Sequence, residues 1–171
     1  MADLFGKWVP QEWIDAVFAQ TLHAPEWNFL YLTKFPQRLA TLEWPENAWC
    51  GTTVDIQNRV ANAERSFTNV TAGVKWLSCE PLLEDLTFSN LAMFDWVVIG
   101  GASKSSQTPE FHPPWEWVWH LLQQADDAGC RVYIKPNLLS RPREYPGFDP
   151  ETISAPPAFF PHREPRPSTA D

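Results

Sequence analysis

The sequence predicts an α/β protein: a parallel sheet with alternating helices, followed by an irregular proline-rich tail. Two observations predict the sheet. Five segments read as nearly continuous apolar runs rather than alternating ones, and helical patterns or caps separate most of them. A third observation concerns the ends of those runs, where four of five deliver a charged side chain.

Taken in order, "VPQEWIDAVFAQTLHA" starts a helix at Pro10 and sets Trp13, Ile14, Val17 and Phe18 on one expected core face. "WNFLYLTK" reads as a strand, "PQRLATL" as a short helix and "NAWCGTTVD" as a second strand. "IQNRVANAERSF" is a helix with Ile56, Val60 and Phe67 directed inward. "VKWLSCE" and "DWVVIGG" are strands, "PPWEWVWHLLQQADDAG" is a helix that starts on prolines and stops at Gly129, and "CRVYIK" is the last strand. The strands are expected near 28–34, 48–54, 74–79, 95–100 and 131–135, all parallel, in a sheet covered on both faces. Right-handed crossovers leave an open doubly wound sheet or a (β/α) barrel as the two architectures.

The chain has 171 residues, enough for one domain with a real core. Hydrophobic content of 44% and charged content of 20% indicate a globular protein. No apolar run approaches membrane-spanning length and no signal pattern opens the chain, so no membrane role is expected and a cytoplasmic setting is the default. The net charge of −8 argues against a surface that coats nucleic acid. Cys50, Cys79 and Cys130 are odd in number and widely spaced, which suits buried free thiols rather than a disulfide framework or a metal site. Residues 1–139 form the expected partial barrel domain. Residues 140–171 hold eight of the seventeen prolines and read as a tail, wrapped in part through Tyr145, Phe148, Phe159 and Phe160 and disordered at its end.

The strand tips read "LTKFP", "TTVDI", "SCEPL", "GGASK" and "IKPNL". Both architectures place their ligand sites at the C-terminal strand ends. Lys34, Asp55, Glu80 and Lys135 are therefore the candidate catalytic residues, with Ser78 and Thr53 in the layer beneath them by strand parity. Salt bridges that close the top of the sheet are the plainer alternative. Pro81 ends its strand, because it lacks a backbone donor and holds Glu80 extended. "GGASKSS" is a possible anion nest at Gly100 and Gly101, competing with an ordinary turn. His112 competes between a helix cap and a ligand; His23 and His120 read as packing or surface residues. No nucleophile–base or zinc-protease motif is present, and Asp55 with Glu80 makes only an unspecific carboxylate pair.

"MADLFGKWVP", "LYLTKFPQRL", "NAWCGTTVDIQNR", "VKWLSCEPLLEDL", "DWVVIGGAS" and "VYIKPNLL" together resemble, in order and spacing, a phage-associated family of unknown function, the bacteriophage gp thirty-seven/gp sixty-eight family. The likeness spans about residues 1 to 140. Full members carry an upstream half with a three-cysteine motif similar to that of radical S-adenosylmethionine enzymes. The resemblance thus implies the C-terminal part of a TIM-like (β/α) barrel, with "MADLF" as the tail of an early strand. It implies an iron–sulfur cluster and S-adenosylmethionine for full-length members, and no cofactor for this chain alone. Carried over position by position, the matching polar residues are Asp3, Thr33, Lys34, Arg38, Asp55, Gln57, Ser78, Glu80, Gly100, Gly101, Ser103, Lys135 and Asn137. Of these, Ser78, Gly100, Gly101, Ser103 and Asn137 are the implied cofactor-binding set. Phe35, where a basic residue is frequent, and Ala102, where Glu often follows the glycine pair, depart from the family pattern.

Two functional classes follow. One is the C-terminal portion of a radical-S-adenosylmethionine-like phage enzyme, inactive without the cysteine-bearing half, with a small-molecule or nucleotide-like ligand. The other is a non-catalytic interaction protein whose open sheet edge pairs with the N-terminal half or with a second copy.

Overall fold

The computed structural model describes residues 3–106 and 109–138. The expected tail at 140–171 lies outside these residues. Five parallel strands, β1 (Phe29–Thr33), β2 (Ala48–Thr53), β3 (Val74–Cys79), β4 (Trp96–Ile99) and β5 (Arg131–Ile134), form one sheet in the order β1-β2-β3-β4-β5. Each strand is hydrogen-bonded to the next in sequence, with Thr33 opposite Thr52, Thr53 opposite Ser78, Cys79 opposite Ile99 and Ile99 opposite Ile134. The doubly wound alternative is excluded for the described strands, because their order never reverses.

Helix α1 (Gln11–Leu22) precedes β1, α2 (Val60–Phe67) links β2 to β3, and α3 (Trp115–Asp127) links β4 to β5. Both α1 and α3 start directly after a proline, Pro10 and Pro114, whose φ values of −59 and −52 suit a helix entry. Helix α3 ends in a Schellman arrangement. Gly129 adopts φ 70, its N–H donates to the Asp126 carbonyl at 3.0 Å, and the Cys130 N–H donates to the Ala125 carbonyl at 2.8 Å. "PQRLATL" and the start of "IQNRVANAERSF" are tighter than expected: residues Pro36–Thr41 and Gln57–Arg59 are 3₁₀ turns, and the α-helix proper begins at Val60. The link from β3 to β4 carries only a 3₁₀ turn, Leu91–Met93.

Strand alternation divides the sheet into two faces of different character. Cys50, Val54, Leu77, Cys79, Val97, Ile99, Val132 and Ile134 face the helices and join Ile14, Phe18, Leu39, Val60, Phe67 and Leu121 in one core. The largest fully buried side chains all belong to this core, and at about 1.5–3 kcal/mol for each buried Leu, Ile or Phe it dominates stability. The opposite face carries a separate cluster of Trp49, Trp76, Trp96 and Val98, flanked by Val74 and Tyr133. No described helix contributes to that cluster, so the helices cover one face rather than the expected two. Trp76 lies flat over Gly51 of the neighbouring strand, where a Cβ would collide with the indole, and its Nε1 donates to the Trp49 carbonyl at 3.3 Å.

Three local expectations are corrected. Trp13 and Val17 are 62% and 37% exposed; the buried stripe of α1 is Ile14, Phe18 and Thr21, which lies on the neighbouring face. Ile56 precedes the 3₁₀ turn and is half-buried rather than inward, whereas Val60, Ala63 and Phe67 are buried. "MADLF" is expected as the tail of a strand, but its described residues, Asp3 to Phe5, open a run of successive turns through Val9: the Gly6 N–H donates to the Asp3 carbonyl at 3.2 Å and the Val9 N–H to the Gly6 carbonyl at 2.9 Å.

Candidate functional site

The C-terminal ends of the strands hold the four predicted charges, and the structure resolves them into two ion pairs. At the β1–β2 end, Asp55 is nearly buried and its Oδ2 accepts from Arg59 Nη1 at 3.1 Å, while Oδ1 lies 3.0 Å from the same nitrogen as an ion-pair contact without a hydrogen bond. Lys34 Nζ stands 4.0 Å from the same carboxylate, with its side chain 58% exposed. At the β3–β5 end, Lys135 Nζ lies 3.2 Å from Glu80 Oε2, and both side chains are partly exposed.

Glu80 and Lys135 meet although β4 separates their strands in the sheet. Gly100, at the tip of β4, makes this possible. A Cβ there would lie 3.1 Å from the Cγ atoms of both residues, so the bare backbone lets the two side chains pass over it. Glu80 is followed by a cis peptide bond to Pro81. The Leu82 N–H then donates to the Gly100 carbonyl at 2.9 Å, and the Leu83 N–H to the Asp55 carbonyl at 3.0 Å. The segment after β3 thereby ties its own tip to both neighbouring tips. Ser78 and Thr53, one layer down, are buried and sit opposite each other in register.

The other polar residues expected from the resemblance hold the scaffold. Asp3 caps the tip of β1: its carboxylate accepts from the Thr33 hydroxyl at 2.7 and 2.9 Å, from the Lys34 N–H at 2.9 Å and from the Phe5 N–H at 3.0 Å. Arg38 donates to the Val9 carbonyl at 2.6 Å, the Gly6 carbonyl at 3.2 Å and Gln11 Oε1 at 2.9 Å, which pins the N-terminal turns. The Gln57 side chain forms a two-way pair with the Thr87 backbone, at 2.9 and 2.8 Å.

Of the two alternatives at "GGASKSS", anion nest or ordinary turn, the structure shows a turn whose first three N–H groups are already engaged. The Gly100 N–H donates to the Cys79 carbonyl at 3.2 Å, the Gly101 N–H to Asn137 Oδ1 at 3.3 Å and the Ala102 N–H to the Phe111 carbonyl at 2.8 Å. Asn137 Nδ2 donates back to the Gly101 carbonyl at 2.9 Å, so Asn137 serves as a side-chain clamp on this turn. Ser103 is exposed beyond it. His112 does not cap α3, whose cap is Pro114; its Nε2 lies 3.0 Å from Glu110. His120 contacts Asp85 at 2.7 Å on the surface, and His23 follows α1 and is exposed.

The implied iron–sulfur cluster does not fit the thiols of this chain. Cys50, Cys79 and Cys130 are buried in the helix-side core; Cys50 and Cys79 belong to different strands, β2 and β3, and Cys130 lies just before β5. Burial drives the Cys50 and Cys79 thiols far above the ordinary range, and pushes Cys130 up to about 11. The Cys130 thiol donates to the Phe94 carbonyl at 2.9 Å. Such thiols stay protonated, whereas a cluster needs several thiolates at one point. Among the described residues no group of three or more His, Cys, Asp or Glu could hold a metal ion, and no helix is long and apolar enough to cross a membrane.

Two elements of the site escaped sequence reasoning. Arg59 lies four residues after Asp55, and that helical spacing of opposite charges was a usable signal. Trp8 and Phe35, whose rings meet edge-to-face at 4.9 Å beside Lys34, come from a turn and a strand exit, and although Phe35 stands out as a departure from the family pattern, nothing in either segment marks the two as a pair.

Comparison with known proteins returns one family. The model for the family described as "Protein of unknown function (DUF5131)" matches residues 1–137. No curated protein matches the chain, and no solved structure matches it.

Proposed function

The chain belongs to the DUF5131 family, and on that premise we propose that it forms the ligand-facing wall of a (β/α) barrel-type enzyme. The chemistry proposed is that of a phage-type, radical-S-adenosylmethionine-like enzyme, suggested by the six ordered sequence blocks. One observation carries this reading: two ion pairs stand at the C-terminal ends of parallel strands, above a cluster of buried tryptophans to which no described helix contributes. Ligand sites of parallel α/β folds lie at this end of the sheet. A strand order running in one direction, with helices on one face, supports a barrel wall over a doubly wound sheet.

In this reading Lys34 and Lys135 present cations to an anionic or polar ligand. Glu80 holds Lys135 in place, Asp55 stands within loose reach of Lys34, and Ser78 and Thr53 line the layer below. The thiolates of a cluster would come from a separate body, without which this chain does not catalyse the reaction. Nuclear magnetic resonance titration with a panel of nucleosides, nucleotides, amino acids and S-adenosylmethionine tests the binding role. Saturable shifts are expected at the amides of residues 34–35, 55–57, 80, 82–83, 100–101, 135 and 137. Shifts confined to the helix face, or no saturable response from any member of the panel, would overturn the reading.

The second reading, an interaction protein, is favoured by a different observation. Among the described residues, eight of the ten exposed large hydrophobics fall between residues 8 and 35, on and around the edge strand β1. Leu30 and Leu32, 48% and 43% exposed, continue the tryptophan face to that edge. Concentrated apolar surface beside an open strand edge marks a place where another chain or segment packs. Both readings require a body against β1. Sedimentation of the purified chain is expected to show self-association that Leu32→Lys weakens. A monodisperse monomer with a sharp cooperative melt would count against a body at this edge.

A further inference from the structure

We infer that the β1 end of the strand tips is a subsite for a planar aromatic ring bearing an anionic group, with a nucleoside monophosphate as the model ligand. The inference rests on the reading of the strand tips as the ligand side and adds to it the ligand's chemical class. Two adjoining clefts meet there. The larger, about 520 Å³, is walled by Trp8, Phe35, Leu32, Thr33, Lys34 and Asp3. The smaller, about 280 Å³, shares Lys34 and Phe35 with it and adds Arg59, Thr52 and Asn62. Both are of small-molecule size.

The two clefts divide the work by chemistry. The larger offers aromatic surface: Trp8 is 60% exposed and braced edge-on by Phe35, so an indole ring stands open to a flat partner. Its one carboxylate, Asp3, already accepts from the Thr33 hydroxyl and from two backbone N–H groups, which spreads its charge. The smaller cleft is cationic. Lys34 keeps only a loose contact with Asp55 at 4.0 Å, so its ammonium can swing to a ligand, and Arg59 lies on the same wall. A ring beside Trp8 and an anion beyond Lys34 would fill both clefts across the residues they share. The net charge of −8 sets this local cationic wall in an acidic protein. A compact anion can be drawn to it, whereas a long polyanion would meet repulsion beyond it.

Calorimetric titration with adenosine monophosphate tests the subsite, with adenosine and inorganic phosphate as the half-ligands. Adenosine monophosphate is expected to bind and to quench tryptophan fluorescence. Each half-ligand should bind at least about tenfold more weakly, since stacking and charge act together. Trp8→Ala and Lys34→Met should each weaken binding about tenfold or more, while Lys34→Arg retains most of it. Both side chains are exposed, so the variants should melt with the parent protein, which circular dichroism checks. Binding lost on Glu80→Gln but unchanged in Trp8→Ala and Lys34→Met would overturn the subsite and leave the strand-tip reading standing. No binding of adenosine monophosphate at millimolar concentration would overturn the subsite as well. A single-stranded oligonucleotide that binds more tightly than the mononucleotide would replace it with a polynucleotide surface.

Discussion

Arg59→Ala is expected to lower the free energy of unfolding by about 2–3 kcal/mol, read by urea or guanidinium denaturation. The reason lies in Asp55. Its side chain is only 10% exposed, and Arg59 is its close partner, with Nη1 at 3.0 Å. Removing the guanidinium leaves a nearly buried carboxylate facing Lys34 alone, at 4.0 Å on a mostly exposed stem. A carboxylate stripped of its partner in low dielectric is far more costly than a pair never made. Arg59 is itself 38% exposed, which keeps the estimate below that for a fully buried pair. The companion Asp55→Asn separates charge from packing: the double variant should recover part of the loss, because the orphaned charge is gone. Equal losses in Arg59→Ala and the double variant would show that the arginine acts through packing of its stem. A loss below about 0.5 kcal/mol would show that Lys34 and solvent suffice for Asp55.

The strands were the most legible part of this fold. A parallel strand packed by neighbours on both sides leaves an apolar run that no amphipathic helix imitates, and "WVVI" and "AWCGTT" became β4 and β2 almost as written. Proline punctuation was equally readable, since Pro10 and Pro114 fix a φ the next turn can use. The helix faces were less so. Trp13 and Val17 are as apolar as Ile14 and Phe18, and spacing alone cannot tell a stripe against the sheet from one left facing outward. Sheet order was not legible either. Nothing local in "IKPNL" and "SCEPL" says that Lys135 reaches Glu80 across a strand, because that contact depends on Gly100 lying between them. The choice between nest and turn at Gly101 was open for a similar reason: Asn137 and Phe111, which occupy its donors and acceptors, come from distant segments. Polar residues at strand tips could thus be found by position, while their division into ligand-facing and scaffold-holding groups needed three-dimensional partners.

Glu80→Gln is expected to weaken binding of the strand-tip ligand by about tenfold to a hundredfold while changing stability by less than about 1 kcal/mol. The stability term is small because both partners remain partly in water, with side chains 30% and 39% exposed, and such pairs contribute little to folding. The binding term is large because Glu80 fixes the Lys135 ammonium over Gly100. That preorganises a cation over the tips of β3, β4 and β5. Glutamine keeps the shape and one acceptor but loses the charge, so Lys135 is freed to solvent and a ligand must order it again. Lys135→Met should give the same loss of binding, since it removes the group Glu80 serves. Gly100→Ala tests the geometry separately. Its Cβ would press on both Cγ atoms at 3.1 Å, and the flexible ends can yield by a few tenths of an ångström, so binding should fall with little loss of fold. Titration calorimetry beside thermal melts reads the three variants together. If Glu80→Gln instead costs 1–3 kcal/mol of stability and leaves binding unchanged, the pair is a brace closing the top of the sheet. The ligand side would then shrink to the β1–β2 tips, where Lys34 and Arg59 stand.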